Sequence, residues 1–224
     1  MFVEFYGLPG SGKSTLSHKV AERLRREGCT VEEPSFDIDH EGVVMKRGKK
    51  MVVGVYWFLS HPAKYRRVSE IVRSNGYKGA TAFRQTVNVI QKMRIYNKPH
   101  REKIVLWDQG LLQACISLST TGIIKASENY EKLLPLMPPA ASAARIYIDA
   151  DDETVLDRIS KRASNNSRLE KQKDSDSRHE MLKRIRFEIS TLREAAKSKD
   201  LLLVTSNNIE EDTERIYNAI LNIL

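Results

Sequence analysis

The chain has 224 residues, 41% of them hydrophobic and 29% charged, which suits one well-packed α/β domain without repeats or low-complexity segments. The longest apolar run, residues 51–59, is far too short to span a bilayer, and the first residues resemble a core strand more than a signal peptide. Cys29 and Cys115 form no metal-binding spacing or disulfide framework, and the five histidines form no zinc motif. We therefore expect a reduced, cytoplasmic compartment and no membrane partner.

The formal net charge is +8, from 37 basic and 29 acidic residues. One hypothesis is that the basic surface binds nucleic acid. The other is that the cations surround a small polyanionic substrate, as in enzymes that handle phosphates. Composition alone leaves both hypotheses open.

The segment Gly7–Thr15 contains the pattern G-x-x-x-x-G-K-[ST], known as Walker A or the P-loop. Its surroundings fit this pattern. Residues 1–6 predict a short buried strand, and residues 13–27 have helical periodicity, with Leu16, Val20 and Leu24 on one face. A strand, a glycine-rich turn and a helix in this order predict a phosphate-binding loop.

This motif predicts binding of ATP and Mg²⁺. Glycines allow backbone N–H groups to turn towards a phosphate, and the helix that follows adds the positive end of its dipole. The lysine would reach the β- and γ-phosphates, and the serine hydroxyl would ligate Mg²⁺. The predicted nucleotide-binding residues are Leu8, Pro9, Gly10, Ser11, Gly12, Lys13, Ser14 and Thr15.

A second predicted strand, residues 29–34, ends in Glu33-Pro34. Ligands of open α/β sheets bind at the carboxyl ends of the strands, so Glu33 is a candidate to orient or deprotonate an acceptor hydroxyl. The alternative is a solvated carboxylate without a catalytic role. Asp37 and Asp39 follow in a predicted polar loop and are weaker candidates for the same role.

Residues 37–102 form the predicted acceptor-side region, which we expect to be helical. Periodicity predicts helices at residues 64–74 and 81–96, and Asn75-Gly76 between them indicates a turn. The basic run at residues 45–50 is expected to be solvated rather than to clamp a substrate.

Residues 104–108 consist of four apolar residues followed by Asp108. This is the Walker B layout, in which a buried strand delivers an aspartate to the Mg²⁺ and phosphate site. In a chain that also has a P-loop, the pattern predicts that Asp108 orders the metal or the acceptor. A helix is expected to follow at residues 111–118.

A predicted strand at residues 144–149 and a helix at residues 152–163 lead into a basic segment. Arg158, Arg162 and Arg168 surround the end of this helix and the polar loop after it. Such a segment is typical of a mobile lid, here residues 158–178, that brings arginines onto transferring phosphates. The alternative is a solvent-exposed helix end, where cationic side chains interact favourably with the negative end of the helix dipole.

The remaining elements complete an α/β pattern. Residues 170–178 are polar and expected to be flexible, and a long amphipathic helix follows, with Met181, Ile185 and Ile189 on one stripe. A strand at residues 201–204 and a helix at residues 209–224, capped by Asn208, end the chain. Five strands alternating with helices predict one parallel sheet covered on both faces, in a single domain.

Several segments together resemble the thymidylate kinase-like group of P-loop kinases, over residues 1–36 and 103–224. They are Glu33-Pro34, residues 107–114, the strand, helix and lid run from residue 146 to 170, and the closing helix, strand and helix. The resemblance implies the three-layer P-loop NTPase fold with strand order 2-3-1-4-5. It also implies a kinase that passes the γ-phosphate of ATP to a small acceptor, most often a nucleotide, and that forms a homodimer.

The chain departs from the family pattern in its acceptor half. Gln109 stands where the family usually has an arginine that contacts the acceptor phosphate, Ser35-Phe36 replaces glycines, and Ser167 replaces an aspartate. The donor half matches. Nucleotides, nucleosides, sugars and other hydroxylated metabolites therefore all remain open as acceptors.

Three other functions compete with this hypothesis. A small GTPase is disfavoured because residues 97–100 end in histidine rather than the aspartate of N-K-x-D, and residues 108–111 do not fit D-x-x-G. A nucleic-acid-associated ATPase or polynucleotide kinase would use the net charge and bind oligonucleotides in a salt-dependent manner. A regulator would bind ATP without transferring phosphate.

Overall fold

The computed structural model describes residues 1–39, 52, 54–96, 103–137, 144–161, 169, 172, 174–195, 202–205 and 208–223. The strands in these ranges are β1 (Phe2–Gly7), β2 (Val31–Glu32), β3 (Ile104–Trp107), β4 (Ala144–Asp149) and β5 (Leu202–Thr205). The helices are α1 (Lys13–Arg26), α2 (Pro34–Asp39), α3 (residues 54–60), α4 (Pro62–Ser74), α5 (Gly79–Tyr96), α6 (Leu111–Ser119), α7 (Ala126–Leu133), α8 (Asp152–Ser160), α9 (Ser175–Ala195) and α10 (Ile209–Leu221).

The strands form one parallel sheet in the order β2-β3-β1-β4-β5. β1 lies at its centre, and every residue from Phe2 to Gly7 is buried. Parallel sheets with helices on both faces have such continuous buried strands, because neither face meets water. The predicted five-stranded sheet and its strand order are confirmed.

Side chains of β1 alternate between two hydrophobic layers. Val3 and Phe5 face α1 and α10, where they join a cluster with Leu16, Val20 and Ile216. Phe2, Tyr6 and their neighbours join the larger cluster on the opposite face, which includes side chains from α4 to α9. The period of two in a strand thus produces a three-layer architecture from a single central element.

The structure departs from the sequence predictions in two segments. Asp37 and Asp39 lie in α2 rather than in a loop, since Pro34 provides a preorganised first helical residue. The segment predicted to be flexible, 170–178, overlaps the first turn of α9, which begins at Ser175. There the carboxylate of Asp174 accepts a hydrogen bond from the Ser177 N–H at 2.7 Å, as an N-terminal cap does.

The helix α7 and the 3₁₀ turn that follows it at Leu134–Leu136 were not predicted. The first turn of α7 depends on a distant residue: the Ala126 N–H donates to Glu188 Oε2 on α9 at 2.6 Å. In the part of the chain that the structure describes, none of the helices has the length and hydrophobicity needed to cross a bilayer.

Candidate active site

The loop of residues 8–12 joins β1 to α1 at the carboxyl end of the central strand. Gly10 and Gly12 have φ angles of 84° and 95°, a region that favours glycine. Gly10 also packs directly against α8, where a Cβ atom would lie 3.2 Å from the Val155 carbonyl oxygen and 3.1 Å from Ile159 Cγ1. The loop is therefore held in a tight curve against a neighbouring helix.

Lys13 lies at the end of this loop, on the first turn of α1. Its Nζ donates to the carbonyl oxygens of Gly7 at 3.2 Å and Leu8 at 2.6 Å, which places the ammonium beside the loop. The first turn of α1 contains no acidic residue, so the positive end of the helix dipole is not neutralised there. Such a helix start, with an ammonium beside it, is suited to binding an anion.

Ser14 and Asp108 come together because β3 is the direct neighbour of β1. Asp108 follows β3 and is only 5% exposed, and its Oδ2 accepts a hydrogen bond from Ser14 Oγ. A hydroxyl and a carboxylate are the hard oxygen ligands that Mg²⁺ prefers, and Mg²⁺ takes its other ligands from water and phosphates. The pair therefore fits a Mg²⁺ site of the kind predicted from the two Walker motifs.

Glu33 follows β2 at the edge of the sheet and is 4% exposed. Arg25 Nη1 donates to its Oε2 at 2.7 Å, and His18 Nδ1 lies 3.1 Å from Oε1 and 3.3 Å from Oε2. Both partners are on α1. The alternative of a solvated carboxylate at the strand end does not apply, because Glu33 is buried and paired.

A cavity of about 160 Å³ connects Glu33 with the Ser14–Asp108 pair. Phe36 forms part of its wall and stacks on the His18 ring, with the centroids 4.2 Å apart. The hydroxyl of Ser35 also lines the cavity and has no hydrogen-bond partner among the described residues. The complete lining consists of Ser14, Ser17, Glu33, Ser35, Phe36, Leu106 and Asp108.

A buried carboxylate supports the turn that carries Asp108. Glu4 on β1 is 2% exposed and accepts hydrogen bonds from the Tyr96 hydroxyl at 2.5 Å and from the Leu112 N–H at 2.7 Å. Burial raises the pKa of Glu4 and also raises that of Tyr96. Gly110 packs so closely on the Glu4 side chain that a Cβ atom would overlap it, so this carboxylate fixes the start of α6.

Helix α8, which backs the phosphate-binding loop, is anchored by Arg186 on α9. The guanidinium donates to Asp149 Oδ1 at 3.0 Å, to Asp152 Oδ1 at 2.7 Å and to the Ala150 carbonyl oxygen at 2.5 Å. These contacts fix the chain between β4 and α8, and with it the surface on which Gly10 packs. Arg186 was not among the predicted site residues.

The structure brings together the predicted residues of the loop, Lys13, Ser14, Asp108 and Glu33. Arg158 lies on α8, between Val155 and Ile159, the two residues that pack against Gly10, and Thr15 is exposed on the first turn of α1. Arg162 and Arg168 lie outside the described residues, as does most of the predicted lid between α8 and α9.

Sequence reasoning missed His18, Arg25, Ser35 and Phe36, which complete the surroundings of Glu33. His18 and Arg25 are seven residues apart on α1, which is two helical turns, so their shared face was recognisable. The spacing of His18 and Arg25 does not indicate which element their face of α1 contacts, because that depends on how α1 crosses the sheet.

No protein-family model matches the sequence, and no curated protein matches it. Solved structures do match. Deoxyadenosine kinase from M. mycoides, solved with the products dCMP and a flexible dCDP and also with dCTP, is 14% identical, with a TM-score of 0.55 over 100% of both chains. Thymidylate kinase from Ehrlichia chaffeensis is 16% identical, with a TM-score of 0.55 over 98% of both chains. At these identities the likeness shows the fold, and it confirms the predicted thymidylate kinase-like fold.

Proposed function

We propose that this chain is an ATP- and Mg²⁺-dependent kinase that transfers the γ-phosphoryl group to a small acceptor of the nucleoside or nucleotide type. The observation that carries the proposal is the cavity that joins Glu33 to the Ser14–Asp108 pair beside the phosphate-binding loop. The neighbours of the same fold, a deoxyadenosine kinase and a thymidylate kinase, support this acceptor class.

On the donor side, backbone amides of residues 8–13 cradle the β-phosphate of ATP, and Lys13 bridges the phosphates. When bound, Mg²⁺ neutralises charge on the β- and γ-phosphates, with Ser14 and Asp108 as the residues that hold it. Phosphoryl transfer asks for little covalent chemistry from the protein, so positioning and charge stabilisation provide most of the rate. The ordered loop and the paired Ser14 and Asp108 are preorganised for this task.

On the acceptor side, Glu33 orients the acceptor hydroxyl or accepts its proton. Its carboxylate lines the cavity that also contains Asp108, so an acceptor held there lies between the base and the donor site. The buried Ser35 hydroxyl offers a further hydrogen bond, since buried polar groups are normally paired. Phe36 provides an apolar wall for the rest of the acceptor.

In this proposal, Arg158, Arg162 and Arg168 close over the transferring phosphoryl group. Arg158 is on α8, which packs against the phosphate-binding loop at Gly10, so it lies on an element that already contacts the donor site. Guanidinium groups stabilise the charge that develops on a transferring phosphoryl group.

The test combines calorimetry with an acceptor screen. We expect saturable binding of Mg²⁺-ATP, and release of ADP that depends on one acceptor from a panel of nucleosides, nucleoside monophosphates and sugars. Absence of affinity for both Mg²⁺-ATP and Mg²⁺-GTP would overturn the proposal.

Two further outcomes would favour the alternatives. Tight ATP binding without turnover on any acceptor favours a regulator. Oligonucleotide binding that weakens steeply with salt, together with phosphorylation of oligonucleotide ends, favours a polynucleotide kinase. Both assays use the same 224-residue chain.

A further inference from the structure

The surroundings of Glu33 are built from one face of α1. Arg25 and His18 lie on this face, and each contacts the Glu33 carboxylate. The same helix begins at Lys13, directly after the phosphate-binding loop. Helix α1 therefore carries Lys13, at the end of the proposed donor site, and also both partners of Glu33, the carboxylate that we propose acts on the acceptor.

Arg25 fixes the carboxylate through two contacts that share one guanidinium. Nη1 donates to Glu33 Oε2 at 2.7 Å, and Nη2 donates to the Val31 carbonyl oxygen in β2 at 3.1 Å. A planar guanidinium bound at two points has a defined orientation, and a carboxylate bound to it shares that orientation. Arg25 thus ties Glu33 to the backbone of the strand that precedes it.

His18 is the second partner of Glu33, and it also supports Phe36, which lines the cavity. Its ring stacks on Phe36 with an interplanar angle of 8°, while its Nδ1 contacts both oxygens of Glu33. Removing His18 would change the apolar wall and the carboxylate together. Arg25 is absent from the cavity lining, so it offers the cleaner test of how Glu33 is held.

We propose that Arg25 is a positioning residue for phosphoryl transfer, which acts on the acceptor only through Glu33. The inference rests on the proposed function of Glu33. Because Glu33 is nearly fully buried, it needs a partner for its charge, and the ion pair with Arg25 keeps the carboxylate facing the cavity. The described contacts of Arg25 are with Glu33 and Val31, neither of which belongs to the phosphate-binding loop, so we expect ATP binding not to depend on Arg25.

The Arg25→Gln variant is expected to lower kcat for acceptor phosphorylation about 10- to 100-fold, by analogy with the loss on removing a hydrogen-bond partner that orients a metal ligand. The dissociation constant for Mg²⁺-ATP, measured by calorimetry, should stay unchanged. Arg25→Lys keeps the charge but loses the two-point contact, so its kcat should fall between those of the wild type and Arg25→Gln.

A double-mutant cycle with Glu33→Gln separates positioning from a merely structural role. If Arg25 acts only through Glu33, the Arg25→Gln change should cause no further loss of kcat in the Glu33→Gln background. A loss of equal size in both backgrounds would overturn the inference, because Arg25 would then act by another route.

Arg23→Gln is the matched control. Arg23 is on the same helix and pairs with Glu27 and Glu214, outside the cavity, so the same charge change there should leave kcat unchanged. Wild-type kcat in Arg25→Gln, or a weaker affinity for Mg²⁺-ATP, would contradict the positioning role. If Arg25→Gln does not fold, as judged by circular dichroism, Arg25→Lys carries the test, and wild-type kcat in that variant counts against the inference.

Failure of the proposed function would look different. It would appear as wild-type protein without acceptor-dependent ADP release, before any variant is compared. Failure of the positioning role would appear only in the variants, with transfer by the wild type intact.

Discussion

The proposed donor and acceptor halves of the site are built in different ways. The donor half is formed mainly by consecutive residues, from Gly7 to Ser14, whose backbone conformation is set by glycines and by the start of α1. The acceptor half is formed by side chains from α1, from the end of β2 and from α2, which meet only in the folded chain. A site made from backbone is local in sequence, whereas a site made from side chains depends on how elements cross.

The two halves also differ in the contacts that hold them in place. In the donor half, the loop is secured by close packing of Gly10 on α8, and Lys13 is held by two carbonyl oxygens of the same segment. In the acceptor half, a buried carboxylate depends on partners that are themselves partly exposed. We therefore expect substitutions in the donor half to affect ATP directly and those in the acceptor half to leave ATP affinity intact.

The largest effect is expected for Lys13→Ala. Loss of the ammonium removes charge stabilisation from the transferring phosphoryl group, and kcat should fall at least about 100- to 1,000-fold, as when one preorganised donor is removed. Circular dichroism should show an intact fold, because the hydrogen bonds of Lys13 to the Gly7 and Leu8 carbonyl oxygens are local to the loop.

Lys19→Ala is its control, since Lys19 is exposed two turns further along α1 and lies outside the cavity lining. ADP release by this control should match the wild type. Full activity of Lys13→Ala would remove the donor-site assignment and, with it, the contrast between the two halves.

A smaller effect, confined to the acceptor half, is expected for Phe36→Ala. Removing the ring takes away an apolar wall of the cavity and the stacking partner of His18, so the KM for the acceptor should rise about two- to tenfold. The affinity for Mg²⁺-ATP, measured separately, should not change.

Phe187→Ala serves as the comparison, because Phe187 is an exposed phenylalanine on α9, outside the cavity lining. Phe187→Ala should change neither the KM for the acceptor nor the affinity for Mg²⁺-ATP. Equal losses of ATP and acceptor affinity in Phe36→Ala would show that the two halves are not separable.

The smallest expected effect is on stability, through Glu4 beneath the donor half. In the Glu4→Gln variant an NH2 group replaces one of the two carboxyl oxygens, so either the Tyr96 hydroxyl or the Leu112 N–H loses its acceptor, which should lower the free energy of unfolding by about 1 kcal/mol at low pH. Burial raises the pKa of Glu4 above its ordinary value of 4.5, so the folded state holds this proton more tightly than the unfolded chain. The resulting stabilisation is complete below pH 4.5 and is lost as the pH rises through the folded-state pKa.

The difference between the wild type and Glu4→Gln should therefore narrow with rising pH in urea denaturation, because the amide does not titrate. Glu131→Gln, an exposed position on α7, controls for loss of a carboxylate. A difference that widens with rising pH would mean that Glu4 is ionised more readily in the folded protein than in the unfolded chain.

The sequence by itself determined the glycine-rich loop, which we propose as the donor half, and the order of the elements around it. Gly7–Thr15 predicted the loop, because glycine at fixed positions and a lysine before a helix form a local physical unit. An apolar run that ends in a polar residue predicted β3 and Asp108. A strand that is buried on both faces consists of consecutive apolar residues, and such a run is recognisable in the sequence. The helices α1, α4 and α5 followed from their periodicity to within two residues.

Only the tertiary structure decided what surrounds Glu33 and what lies behind Asp108. The pairing of Glu33 with Arg25 and His18 depends on the angle at which α1 crosses the sheet, and the use of Glu4 as a cap for α6 joins residues 108 positions apart. A glutamate inside an apolar strand carries no local sign of its partner. Such contacts are fixed by packing between elements, which periodicity and motif spacing do not encode.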